Sequence, residues 1–182
     1  MLFECTKTGQ FADVARPLGC DAIEDSRGVA IADLNNDGRL DIVINNNNEV
    51  PAIYLNQLAG SGNWMRMILA AGENSNRDAI GASVQILLDK EGKECKLSRW
   101  VEAGTGYSAQ SDTRLHFGLG DAEQIKLLRI TWPDGCLEEY AGEKLRGRLN
   151  STFRIEQGRG IVAPVGHSIA DVTINDLGGA QR

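Results

Sequence analysis

Short apolar runs with a period of two dominate this chain, and they leave little room for anything but β-structure. "GVAIADL" (28–34), "LDIVIN" (40–45), "PAIYLN" (51–56) and "WMRMILA" (64–70) are followed by "ASVQILLD" (82–89), "CKLSRWVEA" (95–103), "RLHFGLG" (114–120), "IKLLRITWP" (125–133) and "TFRIEQ" (152–157). Alternation aims every second side chain at one face of a strand, and Val, Ile and aromatic residues suit a pleated surface. Turn signals separate the runs: "NDG", "AGSGN", "KEGK", "GTG", "LGD" and "PDG", within a total of 21 glycines. "DAEQIKLL" (121–128) holds at most one helical turn. The expected fold is all-β.

Charge is distributed unevenly. The formal net charge is −6. Residues 1–60 carry nine acidic and four basic side chains, against fourteen of each over 61–160. An acidic chain does not suit a nucleic-acid partner or an anionic membrane surface. No run of about 18 apolar residues exists, so no membrane span is expected. The start, "MLFECTKTGQF", lacks the basic and apolar regions of a signal peptide. Cys5, Cys20, Cys95 and Cys136 are too scattered for a C-x-x-C metal site. Two disulfides, Cys5–Cys20 and Cys95–Cys136, and four free thiols are both open readings.

The acidic excess concentrates in "GVAIADLNNDGRLDIVI" (28–44). Asp33, Asn35, Asp37, Arg39 and Asp41 occupy every second position, and Gly38 lets the backbone curl so that their oxygens converge. A hard dication takes six to eight oxygens, roughly, from carboxylates, amides and backbone carbonyls. Asp33, Asp37 and Asp41 would supply charge, Asn35 an amide oxygen, and Arg39 its main-chain carbonyl with its side chain turned away. The expected cofactor is a structural Ca2+, preferred over Mg2+ because the latter demands stricter octahedral geometry. The twelfth position from Asp33 is Ile44, where an EF-hand needs a bidentate Glu, so this is not an EF-hand. The competing reading is a solvated Asp-Gly hairpin turn.

Two further groups of polar residues stand out. Asn76, Arg77, Tyr107, Gln110 and Asp112 could rim a ligand-binding face, since amides and an aromatic ring suit sugar hydroxyls; the alternative is Asx-turn and ion-pair chemistry. Asp112, His116 and Arg77 would have to converge in one pocket for a hydrolase-like activity, and no nucleophile-elbow or zinc-protease motif supports one. Trp64 and Trp100 alternate with apolar neighbours and read as core anchors.

"FADVARPLGC" and "RGVAIADLNNDGRLDIVINNNNEVPAIYLNQ", within residues 11–57, resemble one FG-GAP/VCBS-type propeller repeat. That resemblance implies that the D-x-[DN]-x-D-G-x-x-D loop holds calcium. "NSNRDAIGASVQI" (74–86), "GTGYSAQSDTRLHFGLG" (104–120) and "ITWPDG" (130–135) resemble the ASPIC/UnbV family in order, over roughly 63–158. The expected organisation is a propeller-type blade or β-hairpin unit over 1–60, a β-sandwich over 61–160, and a loosely ordered tail over 161–182. The resemblance implies an extracellular, periplasmic or cell-surface protein that binds a glycan or protein ligand without catalysis. A lone blade cannot cover both its faces, so pairing with further propeller repeats or another chain, as a structural cap, is the third reading.

Overall fold

Every one of those period-two runs folds as a strand in the computed structural model, which describes residues 2–162 apart from 7, 60, 61 and 91. The expectation of a loose C-terminal tail falls, beyond residue 162, outside the described residues. The strands are β1 (Phe3–Cys5), β2 (Phe11–Asp13), β3 (Ser26–Ala32), β4 (Asp41–Asn46), β5 (Ala52–Tyr54), β6 (Asn63–Ala70) and β7 (Ser83–Lys90). They continue as β8 (Lys93–Trp100), β9 (Leu115–Gly120), β10 (Ile125–Thr131), β11 (Leu137–Ala141), β12 (Ser151–Glu156) and β13 (Gly160–Val162). The fold is all-β, with its sheets left open. No helical turn forms over "DAEQIKLL"; Ile125 onward joins β10, which pairs with β7 and β11, and sheet pairing overrides the local preference. A 3-10 turn stands at Gly142–Leu145 instead.

The chain divides into two compact units. One comprises Met1–Leu34, Arg39–Ala59 and Glu102–Asp112; the other Asn35–Gly38, Gly60–Val101 and Thr113–Arg182. In the first unit β3, β4 and β5 form an antiparallel meander, and β1 pairs with β2. Residues of the 102–112 segment cover the β3 edge: Asp112 N–H donates to Ile31 O at 3.1 Å and Ile31 N–H to Ser111 Oγ at 3.2 Å.

The second unit is built on two four-stranded sheets, in the orders β11-β10-β7-β8 and β13-β12-β6-β9. All pairings are antiparallel except β6 with β12. Alternation supplies the core. Met65, Met67 and Leu69 of β6 point inward with Val84, Ile86 and Leu88 of β7, Leu115, Phe117 and Leu119 of β9, and Phe153 and Ile155 of β12. On β10 a bulge between Ile125 and Leu127 shifts the phase, so that Ile125, Leu128 and Ile130 are the buried residues. Gly142 packs so closely on the Ile125 carbonyl that an added Cβ would overlap it, which lets Leu145 reach the core.

The four cysteines are free. Cys95 lies on β8 and Cys136 just before β11, with β7 and β10 between those strands. Three strand spacings amount to about 14 Å, twice the roughly 7 Å a disulfide can span between Cα atoms. The Cys95–Cys136 pairing is therefore ruled out by topology. Trp100 also departs from expectation: it is 57% exposed, because it shares the outward face of β8 with Glu94, Lys96 and Ser98.

A polar latch ties β11 to the β12–β13 turn. Buried Tyr140 donates its hydroxyl to Glu138 Oε2 at 2.5 Å, and Glu138 Oε1 accepts the Gly158 N–H at 2.7 Å. Burial, reinforced by the Glu138 carboxylate, pushes the Tyr140 hydroxyl well above its ordinary value of 10.0. The neutral phenol is thus favoured in the folded state, while the unfolded chain ionises near the ordinary value. Stability from this group is complete below about pH 10 and declines as pH rises further. Urea titrations at about pH 8 and about pH 11 should show a smaller alkaline loss in Tyr140→Phe than in the parent chain.

Candidate functional site

The acidic loop closes the β3–β4 hairpin just beyond the Ala32–Asp41 pair. Asn36 and Gly38 both adopt left-handed backbone, with φ of 59° and 88°. Such turns are open to Gly and, next best, Asn, and they curl the segment between the two strands. Asp33 and Asp41 are 1% and 0% exposed. Asp41 is held by backbone amides on both sides: its Oδ2 accepts the Leu34 N–H and its Oδ1 the Asn56 N–H, each at 2.8 Å. Arg39 turns its guanidinium to the Asn56 carbonyl, with Nε at 2.7 Å.

At the tip, Asn35 and Asp37 bond to one another. The Asp37 N–H donates to Asn35 Oδ1 at 3.2 Å, and Asn35 Nδ2 donates to Asp37 Oδ2 at 2.8 Å. Among the described residues, no group of three or more His, Cys, Asp and Glu side chains is gathered closely enough to hold a metal ion. The donor chemistry is nonetheless all hard oxygen, with no sulfur or imidazole in the loop, which suits Ca2+ rather than a softer metal.

The tip also engages residues that the sequence did not single out. Asn36 Oδ1 accepts a bond from Arg66 Nη2 at 2.6 Å and a longer one from Arg114 Nη1 at 3.4 Å. Arg66 is 3% exposed although it lies on the face of β6 opposite Met65 and Met67. Its Nε donates to Thr152 Oγ1 at 2.8 Å, and its guanidinium lies over the Trp64 ring, 5.7 Å from the centroid. Trp64 in turn stacks on His116, with centroids 5.8 Å apart and planes inclined by 17°. Trp64 is therefore half-buried in a polar stack on the outer sheet face rather than a core anchor. The one sequence signal was an arginine inside the apolar run "WMRMILA".

The proposed ligand face divides between the two units. Asn76 clasps its own loop: Oδ1 accepts the Ile80 N–H at 2.6 Å and Nδ2 donates to the Ile80 carbonyl at 2.9 Å. Arg77 pairs with the adjacent Asp78 at 3.1 Å, both side chains being exposed. These two belong to the second unit, whereas Tyr107, Gln110 and Asp112 belong to the first. Tyr107 stands 78% exposed at the tip of a tight turn closed by a Gly106–Ala109 bridge. Thr105 and Ser111 fasten that turn, their hydroxyls 2.9 Å apart. Of the groups weighed for hydrolysis, Arg77 is engaged by Asp78 and His116 by Trp64.

Residues 72–160 match the family described as ASPIC and UnbV. Cartilage acidic protein 1 of Xenopus tropicalis is 28% identical over 136 residues, covering 72% of this chain and 20% of that protein. Its Mus musculus counterpart is 27% identical over 159 residues, covering 77% of this chain and 24% of that protein. The Homo sapiens protein is 26% identical over 141 residues, with 74% and 20% covered. The chain thus spans about a quarter or less of the length of these relatives.

Gly38 makes the tip testable. Its φ is left-handed, and an added Cβ would overlap the Trp64 indole. Gly38→Ala should lower stability by about 1–3 kcal/mol and shift tryptophan emission, because both the turn and the indole must move. Urea unfolding followed by fluorescence measures both.

Proposed function

We propose that this chain is a non-catalytic binding module of the extracellular space whose first unit offers an apolar β-surface to further β-sheet. The observation that supports it is the distribution of apolar side chains. Among the described residues, Ala15 is the one buried hydrophobic residue of the first unit; the remainder of the buried core lies in the second. In the β3-β4-β5 sheet, register places Val29, Ile31, Ile42 and Ile44 on one face and Ala30, Val43 and Ile53 on the other. Val29, Ile31 and Ile53 are exposed, so neither face is fully covered. Exposed apolar area of this kind marks an interaction surface. A propeller-type repeat stacked against its neighbours would use both faces in this way. The relatives extend well beyond the matched span, and their name places them in cartilage, a tissue made largely of extracellular matrix.

A protein partner suits this surface better than a glycan. The Asn76 amide is already occupied by Ile80, and Tyr107 is the one aromatic ring among the five residues of the expected ligand face. Calcium belongs to the same proposal. Asp33, Asn35, Asp37 and Asp41 would hold the ion together with the Arg39 main-chain carbonyl. The ion would add positive charge at a hairpin end that carries two buried carboxylates, Asp33 and Asp41.

Two experiments test these points separately. Excess Ca2+ should raise the melting temperature relative to chelator, with a stabilisation of about 2.7 kcal/mol at a hundredfold excess over Kd. Asp37→Ala should melt alike in both conditions. Identical melting of the parent chain in Ca2+ and in chelator would remove calcium from the proposal. For the surface, Val29→Ser/Ile31→Ser should reduce binding of a hydrophobic dye while leaving the melting temperature within about 2 °C, as exposed substitutions do. A large drop in melting temperature would show instead that these residues support the first unit internally.

A further inference from the structure

We infer that β8 is a self-pairing edge, through which two copies of this chain join their sheets antiparallel about a two-fold axis at Cys95. β8 is the outermost strand of its sheet, eight residues long, and pairs with β7 along its whole length without a bulge. Val101, immediately after it, donates its N–H to Ala82 O at 2.9 Å. Backbone groups alternate in direction along an antiparallel strand. The odd-numbered residues of β8 therefore bond to β7, and Glu94, Lys96, Ser98 and Trp100 present their N–H and C=O groups outward. Arg99 Nη1 caps the Ser98 carbonyl at 2.9 Å. Among the described residues, nothing bonds the outward backbone groups of Glu94 and Lys96. An uncovered edge of this kind is a template for another strand.

Side-chain charge selects the occupant and the register. Two identical strands continuing one antiparallel sheet are related by a two-fold axis normal to it, so one residue must face its own copy. Glu94 on the axis opposes two carboxylates, and Lys96 opposes two ammonium groups. Leu97 on the axis would pair Lys96 with Ser98, whose carbonyl Arg99 already holds. Cys95 on the axis meets neither obstacle. Glu94 then lies opposite Lys96 of the second copy, twice, and both are hydrogen-bonded pairs that use the outward backbone groups. Cys95 faces itself as a non-hydrogen-bonded pair, where Cα atoms approach to about 4.5 Å, within disulfide range.

Lysines on an edge also serve to repel strands, and the test separates the two roles. Sedimentation velocity on the full chain over a concentration series should show a monomer–dimer equilibrium. Lys96→Glu or Glu94→Lys alone should weaken it about tenfold, since each converts two attractive pairs into repulsive ones. The exchanged pair, Glu94→Lys/Lys96→Glu, should restore it, whereas a purely repulsive edge would leave the exchanged pair no better than the single variants. In a Cys5→Ser/Cys20→Ser/Cys136→Ser background, diamide, which takes two electrons and two protons from a thiol pair, should trap a dimer that Cys95→Ser abolishes. A chain that stays monomeric with no Cys95-linked dimer, or a dimer indifferent to the charge reversals, would overturn the inference.

Discussion

Burial of alternate side chains between two four-stranded sheets is the interaction on which the second unit depends. It has no direction of its own, so it does not by itself say which strands lie beside which. Direction comes from hydrogen bonding. The parallel pairing of β6 with β12 joins Met65 to Ser151 and Ala70 to Glu156, closing a chain segment of more than eighty residues. Between those strands in sequence lie β7 through β11, which supply the opposite sheet and the β9 edge. The closure costs little more entropy than a loop half as long, because the penalty grows only logarithmically. Once β6 and β12 are paired, Phe153 and Ile155 enter the same layer as Met67 and Leu69, and burial rewards the closure.

The acidic loop follows a different logic, one of desolvation. A carboxylate removed from water must be compensated, and Asp41 is compensated by two backbone amides. The tip residue Asn36 faces guanidinium groups from Arg66 and Arg114. Arg66 is itself buried and needs acceptors, which Thr152 and Asn36 supply. The loop is thus fixed by complementary groups at both ends: backbone N–H groups meet the Asp41 oxygens, and the Asn36 amide oxygen meets the guanidinium groups.

Much of this was legible in the sequence, for reasons that particular residues make plain. β7 reads directly, because Val84, Ile86 and Leu88 alternate with Ser83 and Gln85, and Leu87 is the single apolar residue out of phase. β1, β2, β11 and β13 escaped notice because they are short, or, like "LEEYA", carry two glutamates in a row. Trp100 was misplaced since alternation gives the face of a strand but not which face the core covers. Gly38 and the curl of the loop were readable from local chemistry. Arg66 was not, because its burial depends on Thr152, eighty-six residues away, and on a loop tip thirty residues before it. Long-range partners of a polar side chain leave no local period.

The two open surfaces of this chain differ in what they can specify. Stacking on the β3-β4-β5 sheet would be driven by apolar area, which grows with contact but distinguishes poorly between registers. Pairing along β8 would be driven by backbone groups at fixed spacing, with Glu94 and Lys96 penalising the registers centred on either of them and the Arg99-held Ser98 carbonyl disfavouring the one centred on Leu97. A face without charge tolerates several partners, whereas a charged edge with a capped carbonyl tolerates few. The Arg99–Ser98 contact therefore matters beyond its single hydrogen bond. By occupying one outward carbonyl it shortens the usable edge to the part where charge order and backbone availability coincide, so the strand can be adhesive toward its own copy while remaining guarded against others.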